Sequence, residues 1–293
     1  MNQWHPATIR DLMLDAGRTA LRHFDRPSIE HKADRSLVTA ADREVEEKMF
    51  RELRADDDSV VLLGEESAAS PEQSAVDRLT TATSWIVDPI DGTAPYANGL
   101  PMWGISLGFV DSGRFSDGAL FLPRSGELFI TDGEAVLYEQ GPRDPEYWRF
   151  EDMNPLAIEE RPYQSFGMVS LPFGSRRHGY FDGVNPAQAV GSAVYSVAKL
   201  IVGSYISYIA GVKLWDIAGS IPILRRLGFL MQLGEERELG DSISREDWIM
   251  DATNPRLYKC AAPLFIAGSQ ETIDYMRAHF YDGRSAASNT LHR

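Results

Sequence analysis

Two aspartates three residues apart, Asp88 and Asp91, stand at the end of an apolar run in WIVDPIDGTAPYANG, residues 85–99. Carboxylates held that close, with the Ile90 carbonyl between them, make a compact set of hard oxygen ligands. Mg²⁺ takes such ligands while sharing its other positions with water and a phosphate. Pro89 fixes one φ angle and Gly92 lets the backbone turn tightly, so the segment predicts a strand that stops and a chain that turns. A helical turn opening at Thr93 would direct the N–H groups of Gly92 and Thr93 at an anion. Asp-Pro and Asp-Gly are also ordinary turn dipeptides, and the fragment by itself reads as a turn at least as well as a site.

Two further segments change that balance. GEES ends a second short apolar run and sets Glu65 and Glu66 where a strand passes into a loop. Far downstream, Asp216 stands beside Trp215 in LWDIAG, near the start of a helical pattern. Singly, these acids read as loop solubilisers and a helix-start residue favourable to the helix dipole. Together, carboxylates at three strand or helix ends are the usual way to assemble a two-metal site for phosphoryl chemistry.

With these residues in view, the sequence resembles the inositol monophosphatase family, Mg²⁺-dependent and lithium-sensitive phosphatases related to fructose-1,6-bisphosphatase. LVTAAD (37–42), GEES (64–67), WIVDPIDGT (85–93), GLPMWGISLG (99–108) and LWDIAG (214–219) carry the resemblance, in the family's order and close to its spacing. VGSAV (190–194) fits a family segment near the substrate, which implies substrate-side roles for Gly191, Ser192 and Ala193. The resemblance implies a layered α-β-α-β-α sandwich of the α/β (α+β) class, built into a homodimer. It implies that Glu65, Asp88 and the Ile90 carbonyl bind a first Mg²⁺, and Asp88, Asp91 and Asp216 a second. A third, weaker ion near Glu65 is also implied, with Mn²⁺ able to substitute and Li⁺ and Ca²⁺ inhibitory. Thr93 would orient the attacking water with Asp42 behind it, and Gly92 and Thr93 would bind phosphate.

Several positions depart from the inositol-specific pattern. After D-G-T the family commonly shows an asparagine and an aromatic, and here the run is Ala94, Pro95, Tyr96. Where inositol-processing members carry an acid that holds ring hydroxyls, this sequence has Ile209, with no acid between Val202 and Asp216. Losing such an acceptor is worth about 1–3 kcal/mol to a polyhydroxylated ligand. Arg176 and Arg177, with Ser175 and His178, form a small basic cluster that would hold a second phosphate or a carboxylate, or be solvated loop charge. Trp103, Tyr195, Tyr205 and Tyr208 read as core or dimer-interface residues. The expected substrate is a small soluble phosphate ester: an inositol phosphate, histidinol phosphate, a sugar bisphosphate or a 3′-phosphonucleotide. A regulatory protein that kept the fold without the chemistry is the alternative of a different class.

The elements that must position these residues follow from periodicity. Ile9, Leu12, Met13, Ala16, Ala20, Leu21 and Phe24 predict an amphipathic helix over 6–25, and a second helix covers 40–54, with Thr39 and Asp42 as a capping pair. Strands are expected at 60–63, 85–87, 105–110, 119–122, 128–131 and 135–138, the later ones joined by antiparallel turns. The proline-rich stretch 141–155 separates an N-terminal α+β lobe, 1–145, from a C-terminal α/β lobe, 146–282. In the second lobe strands are expected at 165–171, 205–209 and 264–267, with helices at 192–202, from 215 through LWDIAGSIPILRRLG, and at 271–279. The small, polar stretch 283–293 is expected to be a mobile tail.

Bulk properties narrow the partners. Among 293 residues the net charge is −14, from 43 acids and 29 bases, which disfavours polyanions such as nucleic acid. No apolar run approaches the ~20 residues that span a bilayer, and the N-terminus has no apolar core of a secretory signal. Cys260 is the one cysteine, so no intramolecular disulfide forms. A cytoplasmic location is the expectation.

Overall fold

The computed structural model describes residues 1–25, 27–31, 37–54, 59–68, 71–158, 161–172 and 179–282. The expected tail 283–293 and the basic cluster Ser175, Arg176, Arg177 and His178 lie outside the described residues.

Two sheets and three helical layers alternate. Helix α1 (Pro6–Phe24) starts with proline at its first position, where the missing N–H costs nothing. Its buried face carries Ile9, Leu12, Met13, Ala16, Ala20 and Phe24. Helix α2 (Ala40–Leu53) begins with the expected Thr39–Asp42 capping box and buries Ala41, Asp42, Val45, Glu46, Met49 and Leu53. Both pack on one face of a seven-stranded sheet, ordered β3 (Val61–Gly64), β4 (Ser84–Asp91), β5 (Gly104–Asp111), β6 (Arg114–Leu122), β7 (Glu127–Asp132), β8 (Ala135–Gln140) and β9 (Asn154–Pro155). β3 and β4 run parallel and the remaining neighbours antiparallel. This sheet extends past residue 145 to Pro155.

A six-stranded sheet of the second half has β13 (Tyr205–Ala210) and β16 (Leu264–Ala267) at its centre. Between the sheets lie α5 (Ala193–Ile201), α6 (Leu214–Ile217) and α7 (Ser220–Arg226), and on the far side α8 (Gln270–His279). One hydrophobic cluster joins Leu63, Ile86 and Val110 of the first half to Val194, Trp215 and Ile221 of the second. The order is helix, sheet, helix, sheet, helix, the layered sandwich expected, since each sheet must bury both faces.

One expected element divides. The helical run from residue 215 is two helices, α6 and α7, interrupted at Ala218–Gly219. Pro222 has no N–H to bond back to Ala218, so a continuous helix would lose that hydrogen bond. The break also presses main chain on the first sheet: a Cβ on Gly219 would stand 2.7 Å from Ser106 Oγ, and one on Gly118 2.0 Å from the Gly219 carbonyl.

Candidate active site

The aspartate pair does not sit beyond the end of a strand, as the dipeptides predicted, but within one: β4 runs through Asp91 and is buried throughout. Side chains of a strand alternate between faces, so residues three apart should point oppositely. β4 corrects this with a bulge. Asp88 pairs with Ser106 and Asp91 with Gly104, so three steps on β4 match two on β5. The extra residue, in the Pro89–Ile90 segment, brings both carboxylates to the same side, facing the central helices.

Gly92 follows with φ +95°, a left-handed conformation, and opens the short helix α4 (Thr93–Ala97). Only glycine takes this angle without strain. Pro95 lies in the first turn, where its lack of an N–H leaves no bond broken. Tyr96 is buried against Phe24 and Trp103 and donates to the Ala20 carbonyl at 2.6 Å. The departure at Pro95–Tyr96 therefore belongs to the core, tying α4 to α1.

Asp216 arrives from the first turn of α6, half-buried, with Oδ2 accepting the Lys213 N–H at 2.8 Å. One carboxylate oxygen from each of Asp88, Asp91 and Asp216 lies within 4.8 Å of the others. Glu65 follows the end of β3, one strand over from β4, and its N–H donates to the Val87 carbonyl. Asp91 Oδ2 accepts from Ser192 Oγ and from the Val194 N–H, both at 2.6 Å, so the start of α5 fixes its orientation. Ser192 caps that helix and also accepts from the Tyr195 N–H. Gly191, Ser192 and Ala193 thus gather at Asp91, Gly191 with φ +82° and Ala193 through its backbone N–H.

Asp42 completes the arrangement. It is fully buried and accepts from the Thr39 N–H at 2.8 Å and hydroxyl at 2.6 Å, while Thr93 Oγ1 lies 3.3 Å from its other oxygen and 3.3 Å from the Ile90 carbonyl. Asp42, Thr93 and Ile90 are therefore one hydrogen-bonded unit.

The electrostatics are those of a site that requires positive charge. Burial, then the charges of Glu65, Asp91 and Asp216, hold the Asp88 carboxyl well above its ordinary range. Asp91 is pushed up to about 7 by burial, against the opposing hydrogen bonds from Ser192 and Val194. Asp216 reaches about 7 through burial and the Asp91 charge, although Lys213 and Lys259 oppose the shift. Asp88 Oδ1 is buried with no hydrogen-bond partner, an expensive state for a carboxylate oxygen. An all-oxygen donor set with an orphaned buried oxygen fits a hard divalent cation.

Two residues near the carboxylates were given no role at the site by sequence. Tyr208, read as core or interface, is buried and close enough that the Asp91 and Asp216 charges raise its hydroxyl far above its ordinary value, after burial itself. Ile209, expected where inositol-processing members carry their acid, faces the other way, packed with Val169, Phe265, Ile273 and Met276 beneath α8. The alternation of β13 turns Tyr208 and Ala210 toward the central layer instead. The second residue is Glu46, buried on α2 against the Gly64–Ser67 turn. Its position one turn after Asp42 on the helix expected over 40–54 was its one available signal. A cavity of about 280 Å³ is lined by Ala68 beyond Glu65, by Lys213 and Trp215 beside Asp216, and by Asn254 and Tyr258.

The family model for the inositol monophosphatase family matches residues 7–264. Among curated proteins the chain is 26% identical over 230 residues to Nus factor SuhB of Xylella fastidiosa, covering 73% of this chain and 76% of that one. It is 26% identical over 203 residues to inositol monophosphatase 1 of Homo sapiens, covering 66% of this chain and 69% of that one. A solved Thermotoga maritima IMPase superposes with a TM-score of 0.66 at 19% identity, covering 93% of this chain and 96% of that one, a likeness of fold. The chain belongs to the inositol monophosphatase family.

Proposed function

We propose that this chain is a Mg²⁺-dependent phosphomonoesterase acting on a small phosphate ester. The observation behind the reading is Asp88, whose buried Oδ1 has no hydrogen-bond partner among neighbouring acids that oppose its ionisation. Glu65, Asp88 and the Ile90 carbonyl would hold one ion, and Asp88, Asp91 and Asp216 another. When bound, such ions neutralise phosphate charge and acidify the attacking water. The chain's own residues supply the orientation. The Thr93 hydroxyl, directed at Asp42 and the Ile90 carbonyl, offers its lone pairs to the water for in-line attack. The Gly92 and Thr93 N–H groups at the start of α4 receive phosphate oxygens.

The leaving group is less constrained. Tyr208 and Ala210 bring no carboxylate to ring hydroxyls, which supports a leaving group other than inositol; histidinol phosphate, a sugar bisphosphate and a 3′-phosphonucleotide are the alternatives. Similarity to a protein named as a Nus factor is the observation behind a second reading, in which the fold serves a partner instead of a reaction. The retained acidic set favours catalysis, because buried, mutually repelling carboxylates are a liability without a cation.

The test is phosphate release by metal-stripped protein from inositol 1-phosphate, histidinol phosphate, fructose 1,6-bisphosphate and adenosine 3′,5′-bisphosphate. Release that requires added Mg²⁺ and is suppressed by Li⁺ and by Ca²⁺ is expected. No hydrolysis of any of the four with Mg²⁺ or Mn²⁺ would leave the regulatory reading standing.

A further inference from the structure

Helix α2 carries two buried acids one turn apart, Asp42 and Glu46, on the face that meets the first sheet. Residues i and i+4 lie one above the other on a helix, so the pair reaches two different strand ends. Asp42 holds the Thr93–Ile90 end of β4. Glu46 reaches the end of β3. Its Oε2 accepts the Glu66 N–H at 2.8 Å, and the Ser67 hydroxyl and N–H also bond to its carboxylate. The β3 end is shaped to admit it: a Cβ on Gly64 would stand 2.2 Å from Glu46 Oε2 and 2.3 Å from its carboxyl carbon. Glycine at 64 is therefore a matter of space for a carboxylate, since φ there is unexceptional.

We infer that Glu46 is a positioning residue for Glu65. Its carboxylate gathers the Glu66 and Ser67 donors that directly follow Glu65 in the Gly64–Ser67 turn and sets where the Glu65 side chain meets the Asp88 carboxylate. Asp42 and Glu46, on one rigid helix, fix the two strand ends that supply Glu65, Asp88 and Asp91 relative to each other. A loop-borne ligand without such a tie would adopt many positions, and cation binding would have to order it. This role rests on the metal-dependent reading of the site, and its test separates the two.

The experiment titrates metal-stripped protein with MnCl₂ by calorimetry, for the unaltered chain and for Glu46→Gln and Glu46→Asp, with thermal unfolding in EDTA alongside. Glutamine keeps one acceptor oxygen but replaces the other with a donor that cannot receive an N–H. The expected result is Mn²⁺ affinity weakened by about 10- to 100-fold in Glu46→Gln, the usual effect of removing a partner that orients a metal ligand. Glu46→Asp should recover part of the loss. In the Mg²⁺-supported reaction, the half-saturating Mg²⁺ concentration should rise by the same factor, while KM for the ester at saturating Mg²⁺ stays within about twofold of the unaltered value. A Glu46→Gln protein that is less heat-stable but binds Mn²⁺ as tightly as the unaltered chain overturns the inference, since Glu46 would then be structural alone. An unaltered chain that binds no Mn²⁺ overturns the metal reading instead. If neither Glu46 variant folds, Ser67→Ala, which deletes one hydroxyl from the clamp, must still weaken Mn²⁺ binding measurably; unchanged affinity there also overturns the inference.

Discussion

Asp88 combines complete burial, an unpartnered oxygen and four acidic neighbours, and its replacement separates activity from stability. Asp88→Asn keeps the shape of the side chain and removes its charge. Turnover should fall by more than about 10³-fold, because several kcal/mol of charge stabilisation depend on the bound ions and each 1.4 kcal/mol is about a factor of ten. The metal-free variant should nevertheless melt higher than the unaltered chain, since the repulsion at the carboxylate cluster is relieved. Thermal unfolding in EDTA checks the second half; a lower melting point would mean that the charge of Asp88 is not a burden on the fold. The carboxylates were legible in sequence because acids at strand and helix ends are unusual together. Glu46 and Tyr208 were less so. A glutamate in a charged helix is ordinarily solvated, and a tyrosine in a strand is ordinarily core, until the strand's neighbours show what its hydroxyl faces.

Among the elements, the periodic helices and antiparallel strands could be read closely, whereas the two features that aim the carboxylates could not. The bulge in β4 depends on pairing with β5, and the interruption between α6 and α7 depends on the approach of Gly219 to the sheet. The bulge leaves no mark in local periodicity, because it is decided by a partner distant in sequence; the interruption has a local sign in Pro222, but the close approach it makes to the sheet does not. The start of α5 illustrates how an element serves the site. Ser192 caps the helix and holds Asp91 with one hydroxyl. Ser192→Ala should cost about 1 kcal/mol of stability through the lost cap, lowering the melting point by about 2–4 °C for a chain of this size. It should also weaken cation binding, because Asp91 loses one of the bonds that orient it. A calorimetric Mg²⁺ titration of the variant checks this, and unchanged affinity would show that the α5 backbone alone suffices.

At the scale of the molecule, the raised carboxylates make stability depend on pH and on metal together. Asp91 and Asp216, near 7 in the metal-free fold, sit above their ordinary value when unfolded. The folded state therefore binds more protons than the unfolded chain between about pH 4 and pH 7. Their contribution is fully present below about pH 4 and is lost as pH rises through about 7, at about 1.4 kcal/mol per pH unit for each proton by which the two states differ. In EDTA the melting temperature should accordingly be lower at pH 8 than these two groups would allow at pH 5.5. Added Mg²⁺ should raise it more at pH 8, where the site is ionised. Equal shifts at both values, measured by scanning calorimetry, would contradict the assignment of these carboxylates as the ligands.

The contact of Gly219 with Gly118 has a consequence for how such a protein can change over generations. Where Asp216's helix pair meets the first sheet, the Gly219 carbonyl lies directly on the Gly118 main chain, with only the small Ser106 side chain against Gly219 itself. The spacing of Asp216 from Asp88 and Asp91 therefore depends on the absence of a side chain at 118 and 219 as well as on the apolar residues around them. A side chain gained at either glycine would push the two main chains apart and displace the ligands directly, whereas a change in the apolar core can be absorbed by repacking. The two glycines are thus the positions where drift would reach the site soonest.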